Sequence, residues 1–195
     1  MTHPILIVPG IGNSGPGHWQ SLWQARLPRA ERLQVPDWDR VACDDWVAAL
    51  ARHVQALGAD TTIVAHSLGC LTVAHWAARY GVKIRGALLV AVPDPAAAAF
   101  PTTETSGFTP VPTQRLPFPA IVVSSTNDPY GSIGYARGCA EQWGSPLVDI
   151  GPRGHVNADS GLGDWPAGLA LLEQLLSGAE PEQGSSADRR PASPI

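Results

Sequence analysis

Residues 61 to 70, Thr-Thr-Ile-Val-Ala-His-Ser-Leu-Gly-Cys, pass from a β-branched run straight into a serine set among small residues, and a helical pattern follows at once. That is the shape of a nucleophile elbow, in which a serine at a tight strand-to-helix turn stands clear of its neighbours. The usual G-x-S-x-G is met by Ala65-His66-Ser67-Leu68-Gly69, with alanine for the first glycine. Small residues on either side of the serine let strand and helix approach closely, and a single methyl is a mild departure. Taken alone, the five residues equally suit a buried strand ending in a helix N-cap serine. Their surroundings have to separate the two readings.

Outward from this turn, short apolar segments alternate with helical patterns. The apolar ones cover 5–8, 32–35, 62–64, 87–92, 120–124 and 147–150, and the helical ones 19–27, 44–57, 68–80, 132–143 and 165–176. Several apolar runs are continuous, as strands buried on both faces are. The alternation predicts an α/β fold. Its core is a six-stranded parallel sheet, order 2-1-3-4-5-6, with right-handed crossovers and helices on both faces. Ligands of such sheets gather at the carboxyl ends of the strands, which directs attention to loops 9–18, 36–39, the turn at Ser67, 127–128 and 151–157. The connection 93–119, with seven prolines, is too long for a turn. It reads either as a flap over that face or as coil skirting the sheet.

The chain has 195 residues, 44% hydrophobic and 15% charged, which suits one globular domain over 1–177. Residues 178–195 are rich in Gly, Ser, Pro, Glu and Arg and are expected to form a disordered tail. No apolar run approaches the roughly 20 residues of a membrane span, and the first residues lack a secretion signal, so no membrane and a cytoplasmic location are expected. A net charge of −4, a single lysine (Lys83) and no arginine cluster before the tail argue against a nucleic-acid partner. Cys43, Cys70 and Cys139 are odd in number and widely spaced, which suggests reduced thiols and neither a disulfide framework nor a zinc site. The glycine-rich loop Gly10-Ile11-Gly12-Asn13 has neither the lysine nor the spacing of a phosphate or dinucleotide cradle. No cofactor and no metal are expected.

A serine hydroxyl needs a base to take its proton, and the base needs a third group to hold its tautomer. Of the six histidines, His3 precedes the first strand, His53 and His75 lie inside helical patterns, and His66 adjoins the serine and cannot easily turn back onto it. His18 and His155 remain, both in loops on the expected active face. His155 is favoured because it follows the last strand within Gly154-His155-Val156-Asn157, where glycine lets an imidazole project across the sheet. For the acid, Asp94 and Asp128 each follow a strand and precede a proline, which restricts the aspartate backbone. Asp128 is preferred, since its strand neighbours the one leading to His155, and Asp94 is the runner-up. The order Ser67, Asp128, His155 is also that of α/β-hydrolases among triad folds. Leu68 N–H and a donor from the first loop, Ile11 with Gly12 as alternative, are the expected oxyanion hole. Gly12, Asn13, His18 and Trp19 are candidate pocket residues, whereas Trp23, four residues on, is expected in the core.

Several of these segments together resemble the small serine hydrolases related to retinoblastoma-binding protein nine and YdeN. The likeness runs from about residue 4 to 176 through Ile7-Val8-Pro9-Gly10, Gly17-His18-Trp19, Ala65 to Cys70, Asn127-Asp128-Pro129-Tyr130, Gly154 to Asn157 and, most specifically, Ser160-Gly161-Leu162-Gly163-Asp164-Trp165-Pro166. It implies a compact α/β-hydrolase core without a large cap domain, carries the family's catalytic residues onto Ser67, Asp128 and His155, and implies acyl-hydrolase activity. Retinoblastoma-protein binding does not carry over, because no Leu-x-Cys-x-Glu segment is present. The expected partner is a small ester, possible extensions being amides or amino-acid esters. The competing expectations are a non-catalytic binding protein on the same scaffold and an acyltransferase using the same residues.

Overall fold

The computed structural model describes residues 3–178. Apart from Gly178, the tail expected over 178–195 therefore lies outside the described residues. Within them the elements run β1 (Ile5–Val8), α1 (Trp19–Arg26), β2 (Ala30–Arg32), β3 (Val41–Ala42), α2 (Cys43–Leu57), β4 (Thr62–His66), α3 (Leu68–Tyr80), β5 (Gly86–Val90), β6 (Thr105–Ser106), β7 (Ala120–Ser124), α4 (Ile133–Trp143), β8 (Leu147–Asp149) and α5 (Pro166–Ser177), with a 3-10 turn at Ala158–Ser160.

Six strands form one parallel sheet, β2-β1-β4-β5-β7-β8. With the two-residue strands β3 and β6 set aside, this is the expected 2-1-3-4-5-6. The central strands are buried on both faces, and the period of two sorts their side chains into two layers. Leu6, Val8, Ile63, Ala65, Ala87, Leu89 and Val122 pack towards α2, α3 and α4 with Trp46, Trp76 and Trp143. Ile5, Ile7, Val64, Leu88, Val90 and Val123 pack towards α1 and α5 with Trp19, Trp23 and Trp165. Sequence punctuation sets the helix ends. Ser132 caps α4 by accepting from Tyr135 N–H, Pro166 opens α5, and Gly81 closes α3 in the left-handed conformation.

One strand lies elsewhere than expected. The second strand occupies Ala30–Arg32 rather than 32–35, because β1 is only four residues long and its register pairs Ile5, Leu6 and Ile7 with Ala30, Glu31 and Arg32. The ladder ends at Leu33, whose N–H donates to Ile7 at 2.9 Å. Leu33 and Val35 spend their apolar side chains on core packing instead.

The long 93–119 connection is tied down twice. Its β6 pairs with β3, and its Phe100, Phe108, Leu116 and Phe118 are buried in the core. Among the described residues no helix is long and apolar enough to cross a membrane.

Candidate active site

Ser67 sits between the last residue of β4 and the first of α3 at φ 54°, ψ −127°, a strained conformation for a residue with a Cβ. Close packing makes the turn possible. A Cβ at Gly69 would lie 2.5 Å from the Val8 carbonyl oxygen and 2.6 Å from that of Pro9, and one at Gly10 would lie 2.8 Å from Ser67 Cβ. Both glycines let the first loop lie directly against the elbow. Ala65 is wholly buried in the layer beneath, so its methyl is accommodated by the core.

The structure brings the three expected residues together. His155 Nε2 lies 2.8 Å from Ser67 Oγ, and His155 Nδ1 lies 2.9 Å from both carboxylate oxygens of Asp128. An ionised carboxylate only accepts, so the Nδ1–H tautomer follows, leaving the Nε2 lone pair to accept from the serine hydroxyl. The Asp128 side chain is 1% exposed and its Oδ1 also accepts from Tyr130 N–H. Asp94 plays no part: its carboxylate accepts from Ala96 N–H in its own turn. The histidine loop is pinned from the segment after β7 by Asn127, which accepts from Gly154 N–H at 2.7 Å, and by Ser125, which accepts from Arg153 N–H at 2.8 Å.

The serine opens into a cavity of about 360 Å³ whose wall includes Ile11, Asn13, His18, Leu68, Phe100 and Tyr130. Pro93, Ala99 and Pro101 also line it, so the front of the long connection forms part of the wall. A larger hollow of about 430 Å³ near Arg115 and Phe118 lies by the amino-terminal ends of β7 and β8, away from the serine. Gly12 N–H, the alternative oxyanion donor of the first loop, donates to the Trp38 carbonyl at 2.8 Å, whereas Ile11 and Leu68 both line the cavity. Asn13 is held at φ 64° with its Oδ1 accepting from Arg32 and from Ser14 N–H.

Two pocket expectations are corrected. Gly12 does not line the cavity, because its peptide turns towards Trp38. Trp19 is not a pocket wall either. It is 1% exposed, packs edge-on to Trp23 and Trp165, and donates its indole N–H to the Val156 carbonyl at 2.8 Å. The ring is drawn into the core because α1 turns its apolar face onto the sheet.

His18 does line the cavity and caps α1, its Nδ1 accepting from Gln20 N–H. Burial, helped by the charges of Arg32 and His155, lowers its pKa to about 4, so the ring is neutral at pH 7. Sequence reasoning set His66 aside and named Tyr130 only within Asn127-Asp128-Pro129-Tyr130, with no role in the site. His66 is buried, with its pKa pushed well below the usual value chiefly by desolvation, and its Nε2–H donates to the His155 carbonyl at 2.8 Å. Tyr130 lays its ring against that of His155, centroids 4.4 Å apart. The segment Asp128-Pro129-Tyr130 was a usable signal for the second. Nothing local signals the first.

Comparison with known proteins adds the lineage. The serine hydrolase family profile matches residues 5–174, and the chain therefore belongs to the serine hydrolases, on the α/β-hydrolase fold. Within that class it is YdeN-like. It is 25% identical over 191 residues to YdeN of Bacillus subtilis (strain 168), covering 91% of this chain and 98% of YdeN. A crystal structure of a YdeN-like protein from Pectobacterium atrosepticum shares 31% identity over 91% of this chain and 92% of that one, with a TM-score of 0.78. The crystal structure of B. subtilis YdeN itself superposes with a TM-score of 0.73 at 21% identity, over 90% of this chain and 100% of that one, a likeness of fold. Membership makes the protein a hydrolase.

Proposed function

We propose that this hydrolase cleaves small carboxylic esters through an acyl-enzyme on Ser67. The observation that carries the reading is the continuous hydrogen-bonded line from Asp128 through His155 to Ser67 Oγ, 2.9 Å and 2.8 Å long, at a cavity. In the first half-reaction Ser67 Oγ bonds to the ester carbonyl carbon while its proton passes to His155 Nε2. The carbonyl electron pair moves onto oxygen, where the N–H groups of Leu68 and Ile11 receive it, each donor lowering the barrier by about 3 kcal/mol. Collapse of this adduct breaks the bond to the alcohol oxygen, which takes the proton from His155. A water molecule then attacks the acyl carbon by the same route, releases the acid and restores the serine hydroxyl. Asp128 stays ionised and offsets the imidazolium charge in both halves.

The wall supports the substrate class. Among the described residues no Asp, Glu, Lys or Arg lines the cavity, so an ammonium group would enter without a counter-charge from its wall, at a desolvation cost. Uncharged short acyl groups are favoured over free amino-acid esters or amides. A cytoplasmic setting accords with the free, buried Cys43, Cys70 and Cys139.

A fluorophosphonate probe and a graded series of p-nitrophenyl esters test the reading. Wild type should label at one site and turn over short acyl esters, whereas Ser67→Ala should do neither while keeping its melting temperature. Labelling that persists in Ser67→Ala, or a folded wild type inert to both reagents, would overturn it.

A further inference from the structure

The residue after His155 is held in a conformation that its own chemistry resists. Val156 has φ of 52°, the left-handed region, where a β-branched side chain crowds the backbone. It is wholly buried, so water cannot stabilise its peptide groups. Its own N–H has only a long 3.3 Å bond back to Arg153. The carbonyls that bracket it are each bound by a ring N–H from a distant element. His66 Nε2, at the end of β4 and 89 residues away in sequence, donates to the His155 carbonyl at 2.8 Å. Trp19 Nε1, at the start of α1 and 137 residues away from Val156, donates to that residue's carbonyl at 2.8 Å. A carbonyl only accepts, so the His66 proton sits on Nε2. Burial holds the His66 pKa well below the ordinary histidine value, so the ring is neutral at pH 7.

We propose that His66 and Trp19 are positioning residues for the base: their two ring N–H groups pin the left-handed Val156 peptide and so keep His155 Nε2 within bonding distance of Ser67 Oγ. The inference rests on the serine-hydrolase mechanism above and adds to it the device that aims the imidazole. The upstream half of the loop is tied by Asn127 and Ser125, and the downstream half by Ser160, whose hydroxyl donates to the Arg153 carbonyl at 2.6 Å. Ser160 Oγ also accepts from Asn157 N–H at 3.1 Å and so fixes the far end of the turn, but none of these ties reaches the carbonyls of His155 and Val156. Without the ring donors, a valine there relaxes towards the extended region and swings the imidazole with it.

The test uses four single variants and one double. His66→Phe and Trp19→Phe keep a ring and lose the N–H, His66→Gln keeps a side-chain donor, and Val156→Gly removes the conflict with a positive φ. The rate of fluorophosphonate labelling reads Ser67 reactivity, thermal melting reads fold stability, and ¹⁵N shifts of the His155 ring read its placement even where Ser67 does not react. His66→Phe and Trp19→Phe should each slow labelling about tenfold or more, as a displaced base does, and should shift the His155 resonances. For ester turnover, kcat should fall with KM little changed. His66→Gln should recover most of the rate, and Trp19→Phe should cost far less in the Val156→Gly background than in the wild type. The proposal is overturned if His66→Phe leaves the His155 resonances in place. It is equally overturned if His66→Gln is as slow as His66→Phe, or if Trp19→Phe costs the same in both backgrounds. A wild type that does not label, while the His155 shifts still move in His66→Phe, would remove the proposed function and leave the positioning intact.

Discussion

Ser67 and Val156 adopt nearly the same unusual φ, 54° and 52°, on opposite sides of one hydrogen bond to His155. The serine turn is supported by clearance: Gly10 and Gly69 remove the atoms that would collide with it. The histidine turn is supported by attachment, through ring N–H groups brought from β4 and α1. A turn maintained by clearance depends on the residue types close to it, whereas one maintained by attachment depends on partners that only folding delivers. The first should therefore fail by steric overlap and the second by loss of a donor.

The largest effect expected on this pair comes from Asp128→Asn, which leaves both turns intact. The amide would donate to His155 Nδ1 and reverse the tautomer, so kcat should drop by about 10⁴, with crystal or NMR coordinates of the loop unchanged. A drop of less than about tenfold would show that Asp128 does not set the tautomer. Next is Gly69→Ala, whose methyl would meet two carbonyl oxygens of the first loop at 2.5 and 2.6 Å. Destabilisation of about 1–3 kcal/mol in urea unfolding, with slower labelling, is expected, and an unperturbed variant would contradict the clearance account.

Acid should act on the attached side. The folded His18 pKa is about 4 against 6.5 for the free side chain. Between those values the unfolded chain binds more protons, so stability falls as pH drops from about 6.5 towards 4, by at most about 1.4 kcal/mol per pH unit for each such group. His66 contributes in the same direction. Urea midpoints across that range should show the slope, and His18→Asn, which retains a side-chain cap, should flatten it. The smallest effect belongs to Ala65→Gly, which restores the usual motif. It should lower stability by about 1 kcal/mol, through lost burial and added chain freedom, and leave the labelling rate unchanged. A faster rate would mean that the alanine methyl strains the elbow.

Most of the scaffold was readable because its signals are local. The continuous runs at Ile5 to Val8 and Ala120 to Ser124 announced doubly buried strands, and the helix over Leu68–Tyr80 was bounded by the elbow and Gly81. The second strand is read too late in the sequence because Leu33 and Val35 carry a strand-like composition, while the register of β1 starts the pairing two residues earlier, at Ala30. Trp19 was misread for a related reason: its sequence position beside His18 places it near the cavity, but helix phase sends the ring into the core.

Residue order alone was enough for the alternating α/β layering, the tight serine turn and the expectation that His155 and Asp128 meet at Ser67, because each depends on periodicity, on small residues beside the serine or on which strand a loop follows. Folding was needed to show that Asp94 caps its own turn, that Gly12 is spent on Trp38, and that His66 and Trp19 bracket Val156. Those facts are contacts across 2 to 137 residues, and a hydrogen bond has direction and reach that composition does not encode until the chain is packed.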